Sequence, residues 1–181
     1  MKTRDKRTAV VVVAYLGLAL AALNCNSIFS SLTEAGSSVS GVTSSKSVDV
    51  AQQIMEDTNR ERRQLGLAPL VWDDHLASAA TSHSDEMIQL NYFEHGSPKK
   101  GYENAMERVE RTGAQPNAVG ECIFEAEGYP ARQLPDTCVK SWVGSPSHHA
   151  IMMDSRYRAG GVGVSKQGEL YRVTMVFATF D

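Results

Sequence analysis

The 181-residue chain has few of the features that would assign it quickly. It holds only three cysteines, six prolines and two tryptophans, and aromatic residues make up 7% of it. Its composition matches no collagen-like, coiled-coil or wholly disordered chain. It has no glycine loop of the phosphate-binding kind, no nicotinamide or flavin fingerprint, no Cys-x-x-Cys pair and no internal repeat. Its one long apolar run, Ala9–Leu23, falls short of the roughly 20 residues of a comfortable membrane span. Nor is there a basic block beyond the N-terminus. With residues 1–24 set aside, 14 Lys and Arg face 20 Asp and Glu, a net charge of −6. An acidic domain is a poor phosphate binder, which excludes a nucleic-acid partner.

What is present begins with an address. Lys2, Arg4, Lys6 and Arg7 precede the apolar run, the layout of an export signal spanning residues 1–24. Cys25 follows directly in Ala21-Ala22-Leu23-Asn24-Cys25, which resembles the lipobox of bacterial lipoproteins. The expectation is a lipidated Cys25 anchoring the protein to a membrane. A signal cut further on, or an uncleaved anchor, are the alternatives. Residues 25–47 are rich in Ser and read as a tether. The folded unit is expected over 48–181. With Cys25 assigned to lipid, Cys122 and Cys138 are left as a pair in an oxidising compartment. A bridge would close a loop of about 17 residues, worth about 3 kcal/mol. The alternatives are two buried free thiols or a metal pair.

Periodicity predicts helices over Val48–Leu65, from Asp73 or Asp74 through Leu90, over Tyr102–Arg111 and over Asp136–Val143. It predicts a strand over Val119–Ala126 and a closing hairpin, Gly161–Lys166 and Glu169–Phe180, turning at Gln167-Gly168. Helices early and a hairpin late argue for an α+β fold. Gly160-Gly161-Val162-Gly163 enters a strand and reads as structural.

Of the five histidines, His83 reads as a satisfied core residue on its helix and His75 as a surface residue. His95, in Phe93-Glu94-His95-Gly96-Ser97-Pro98, and His148, in Ser145-Pro146-Ser147-His148-His149, fall in loop-like stretches, where site residues concentrate. Glu121 is a carboxylate in an otherwise apolar strand. Two imidazoles and a carboxylate meeting at one point would form a hard-to-borderline metal site with open positions. Nucleophilic alternatives are weaker. Ser145 and Ser147 lack the Gly-x-Ser-x-Gly elbow, and a bridged Cys122 is no thiolate.

Taken in order, these motifs resemble the CAP superfamily (cysteine-rich secretory proteins, antigen 5 and pathogenesis-related proteins) in its bacterial SCP-like form. The carriers are Asn59, Arg63, Gly66, Leu67, Leu70, Trp72 and Asp73; then Leu76, Ala79-Ala80 and His83-Ser84-Asp85-Glu86-Met87. Phe93-Glu94-His95, Val119-Gly120-Glu121, Trp142 with Ser145-Pro146 and His148, and the closing Gly161–Val164 and Val173–Ala178 complete the series, which runs from about residue 50 to 180. The resemblance implies an α-β-α sandwich, a central antiparallel sheet flanked by helices, with a central cavity. Family members carry two His and two Glu there, several binding zinc or other divalent ions. His95 matches the first histidine and Glu121 the first glutamate. The second glutamate would fall near Ser145 and the strand histidine near Tyr171 or Arg172, so His148 is the remaining candidate of the bacterial form. Cys122 stands where the family has Asn. The implied function is non-enzymatic: an exported, lipid-anchored envelope protein binding a divalent metal (zinc or another divalent cation), a lipid-like ligand or a protein. The alternatives are a metal-assisted hydrolase with Glu121 as general base, and a structural module.

Overall fold

The computed structural model describes residues 49–181. The expected export signal, Cys25 and the Ser-rich tether lie outside the described residues. Asp49 caps the first helix, α1 (Val50–Gln64), by accepting from the N–H groups of Ala51 and Gln52. The helix ends where Gly66 adopts a φ of +71°. A two-residue strand, β1 (Val71–Trp72), leads into α2 (Asp74–Gln89), whose N-cap is Asp73. Then follow α3 (Ala105–Glu110), β2 (Ala118–Glu127), α4 (Leu134–Val143), α5 (Pro146–Met152), β3 (Ala159–Gln167) and β4 (Leu170–Thr179).

The sheet order is β1-β3-β4-β2. The β3–β4 and β4–β2 pairs are antiparallel, as expected, whereas β1 joins β3 in parallel. Helices α1, α4 and α5 cover one face and α2 and α3 the other, an α-β-α sandwich. β4 is therefore buried on both faces: every residue from Tyr171 to Ala178 is inside. Tyr171, Val173, Met175 and Phe177 point into a large apolar cluster with Ile54, Trp142 and Met152. Val176 and Ala178 point into a smaller cluster with Leu76, Ala79 and Ala80.

Helix α2 lies almost in contact with β3. A Cβ built on Gly161 would sit 2.1 Å from the Ala77 nitrogen, and one on Gly163 2.1 Å from the Thr81 nitrogen. Only hydrogen fits between that helix and that strand.

Several expectations change in detail. The arginine of the opening motif is Arg62, not Arg63. Arg63 is exposed, whereas Arg62 is fully buried and donates to the carbonyls of Ala68, Met152, Asp154 and Tyr157. α3 is shorter than expected because Asn104 caps it, accepting from Glu107 N–H. α4 starts at Leu134, because Pro135 in a first turn needs no intrahelical donor. His148 is helical rather than in a loop: Pro146 opens α5. Cys122 and Cys138 are both buried in the large cluster, each as a thiol and not joined in a bridge here. Burial raises the pKa of each and keeps both protonated.

Candidate functional site

The chemistry gathers where β2 passes beneath α2, α3 and the loop after α2. Glu121 faces that side, and its side chain is only 6% exposed. Nδ1 of His95 donates to Oε1 at 2.9 Å, and Arg108 from α3 donates to Oε2 at 2.5 Å. His83 Nε2, from α2, lies 4.0 Å from Oε1. A buried carboxylate is tolerated only when paired and hydrogen-bonded, and both oxygens here are engaged. Burial pushes the Glu121 carboxyl upward; the His95 hydrogen bond and the Arg108 charge, joined by His83 once acid protonates it, outweigh that and hold it below the usual carboxylate range.

Each partner is fixed in turn. Arg108 is buried, and it also donates to the carbonyls of Tyr102 and His95. His83 donates through Nε2 to the Glu94 carbonyl at 3.1 Å, which sets its tautomer. Burial lowers the His83 pKa despite the attraction of Glu121, so the ring is neutral near pH 7. The Tyr92 hydroxyl lies 3.5 Å from His83 Nδ1 and donates to Glu86 at 2.7 Å; Ser97 donates to the same Glu86 oxygen. The loop carrying His95 is thus tied to α2 at Glu86 and to α3 at Arg108.

His95 itself is half exposed, with its Nδ1 taken by Glu121 and Nε2 as its free nitrogen. The His148 ring, on α5, lies 6.2 Å from the His95 ring, centre to centre. Burial and the neighbouring His95 lower the His148 pKa. His95 and Glu121 open on a cavity of about 420 Å³, whose other walls include Asn104, Gly120, Ile151 and Tyr157. A larger groove of about 930 Å³ runs along the outer face of α2, past Ser78, Thr81, Asp85 and Lys99. It lacks the histidine–carboxylate convergence, so the smaller cavity is the candidate site.

Of the sequence-predicted trio, His95 and Glu121 are bonded to one another on the cavity wall, and the His148 ring stands beside His95 without lining the cavity. Among the described residues no group of three His, Cys, Asp or Glu stands in metal-holding geometry. Glu121 fixes the His95 ring through Nδ1, the kind of carboxylate–imidazole contact that orients a histidine. Sequence reasoning missed Arg108, which sits among Glu107, Glu110 and Arg111 and reads as one more solvated charge. It also placed His83 in the core, which is where the ring lies, without its approach to Glu121.

Residues 55–180 match the family model described as "CAP: Cysteine-rich secretory protein family". The chain belongs to this family. Among curated relatives, "Uncharacterized protein YkwD" of Bacillus subtilis is 29% identical over 120 residues, covering 66% of this chain and 44% of that protein. The chain spans less than half the length of the curated relatives it matches. Among solved structures, an extracellular protein of Bacillus anthracis containing an SCP domain superposes with a TM-score of 0.59 at 27% identity, over 72% of this chain and 40% of that one. An outer surface protein of Borrelia burgdorferi superposes with a TM-score of 0.61 at 18% identity, over 72% of this chain and 92% of that one, a likeness of fold. The CAP domain's structural neighbours are thus extracellular or surface proteins. Among the described residues no helix is long and apolar enough to cross a membrane.

Proposed function

We propose that this is an exported envelope protein, anchored through a lipidated Cys25 and a Ser-rich tether, whose CAP domain binds a ligand at the His95 cavity without turning it over. The observation that carries this reading is the state of Glu121. A general base works best with a pKa near the operating pH and a free lone pair on the substrate side. Glu121 is held low by His95 and Arg108, with both oxygens occupied. It is suited to fixing a ring, not to taking a proton from water.

Zinc or another divalent cation fits this reading as a ligand of His95 Nε2 and His148, with Glu121 orienting His95 from behind. Such an ion would supply a Lewis-acid centre for a ligand's oxygen or nitrogen. In an oxidising compartment Cys122 and Cys138 are the pair available for a bridge, each thiol giving up one proton and one electron to an envelope disulfide oxidant. A mass shift of two hydrogens on reduction of the exported protein checks this.

Calorimetry on the full chain tests the site. Saturable zinc binding that His95→Ala and His148→Ala each abolish is expected. A hydrolytic rate on peptide or ester substrates that Glu121→Gln eliminates would overturn the non-enzymatic reading.

A further inference from the structure

The same cavity carries a main-chain feature that its side chains do not explain. β2 pairs with β4 on one side only, so it is an edge strand. Residues of an antiparallel strand direct both N–H and C=O alternately toward and away from the neighbour. Gly128 N–H donates to the Glu169 carbonyl, and the register runs unbroken from Glu127↔Leu170 to Ala118↔Thr179. The even-numbered residues of β2 therefore face β4, and Val119, Glu121, Ile123, Glu125 and Glu127 present their peptide groups outward. Trp142 confirms that parity: its indole N–H donates to the Ile123 carbonyl at 2.9 Å.

At Val119 and Glu121 the outward N–H and C=O take no partner among the described residues, and Val119, Gly120 and Glu121 line the His95 cavity. The open stretch is short. The Trp142 indole stops it at Ile123, which leaves one three-residue register.

We propose that the cavity binds an extended peptide, which adds antiparallel to the β2 edge at Val119–Glu121 beside His95. This deepens the binding reading above and rests on it. An unpaired edge offers donors and acceptors at the spacing of another backbone, while flanking pockets sort side chains. Here one wall is Ile151 and Tyr157, and Glu103, its carboxylate accepting from the Gly101 N–H, stands on the wall with His95; no Lys or Arg lines the cavity. The occupant that fits is an alternating apolar and basic segment. Gly120 lets that wall close directly on the strand: a Cβ there would lie 2.6 Å from the Tyr157 hydroxyl and 2.9 Å from Ile151.

The test uses the full chain and a fluorescein-labelled, amidated hexapeptide of alternating Val and Lys, read by anisotropy. Saturable binding below about 1 mM is expected, with at least a tenfold loss when every peptide amide is N-methylated, which removes the donors. Val119→Pro deletes one outward N–H at a position where the β2–β4 ladder needs none, and should also weaken binding at least tenfold. Replacing the peptide's Lys by Glu should weaken it further. Equal binding of the methylated and unmethylated peptides, or no saturable binding, overturns the peptide inference. If zinc binding through His95 persists in that case, the cavity reading stands and only the strand addition falls. The methylation arm decides the matter even if Val119→Pro does not fold.

Discussion

The two faces of the sheet divide the work of the domain. On the α1/α4/α5 face the side chains are large and apolar, from Ile54 and Trp142 to Phe177, and Arg62 ties the ends of the helices to the chain entering β3. On the α2/α3 face they are small, Ala79, Ala80 and Ala178, or polar: Ser84, Thr174, His83, Arg108 and Glu121. Apolar area is what stabilises a fold at about 25 cal/mol per Å². The thick face supplies it, and the thin face, held close by Gly161 and Gly163, has room for a buried ionic cluster. Because β4 alternates between them, one strand serves both.

The sharpest way to break this division is to thicken the thin face. Gly163→Val places a side chain where the backbone of α2 now lies, and a loss of at least about 3 kcal/mol is expected, read as the urea midpoint or as failure to accumulate folded protein. Next is the clip on the thick face. Arg62→Leu leaves four carbonyls without their donor and should cost about 3 kcal/mol in the same assay. On the thin face, Arg108→Met leaves Glu121 buried with a weaker counter-charge, at a cost of about 3 kcal/mol. Adding Glu121→Gln should recover part of that, so a double mutant no better than the single would contradict the pairing.

A pH series sharpens the contrast further. The pKa values of Glu121 and His83 are both lowered on folding, so each contributes stability present above its unfolded pKa and lost as pH falls through its folded value. Urea midpoints should fall first below about pH 6.5, as His83 is forced to charge, and again below about pH 4.3 as Glu121 is protonated. Arg108→Met should shrink the second step, since it raises the folded pKa of Glu121. The smallest effect is expected at Ser84→Ala, about 1 kcal/mol for the bonds to Gly163 and Thr174.

Much of the fold was legible because its signals are local. The Asp73 cap, the positive-φ turns at Gly66 and Gly168, and the alternation of Tyr171 to Phe177 each report on their own neighbourhood. β1 was not legible: two residues carry no periodicity, and its partner β3 lies 88 residues on. His95, Glu121 and His148 could be named because their residue types are uncommon in such stretches. Arg108 could not, since nothing near it in sequence tells a buried ion-pair member from a surface charge. Nor could the choice of Arg62 over Arg63, which turns on which face of α1 meets the carbonyls around Met152 and Tyr157.

The strand order has a kinetic consequence. β4 is the strand that joins β3 to β2, so the sheet cannot close until residues 170–179 pair on both sides. Its first helix and its last strand wait on one another across more than a hundred residues of chain, the kind of topology that folds slowly. A polypeptide arranged this way holds no closed sheet until its most distant segments have met.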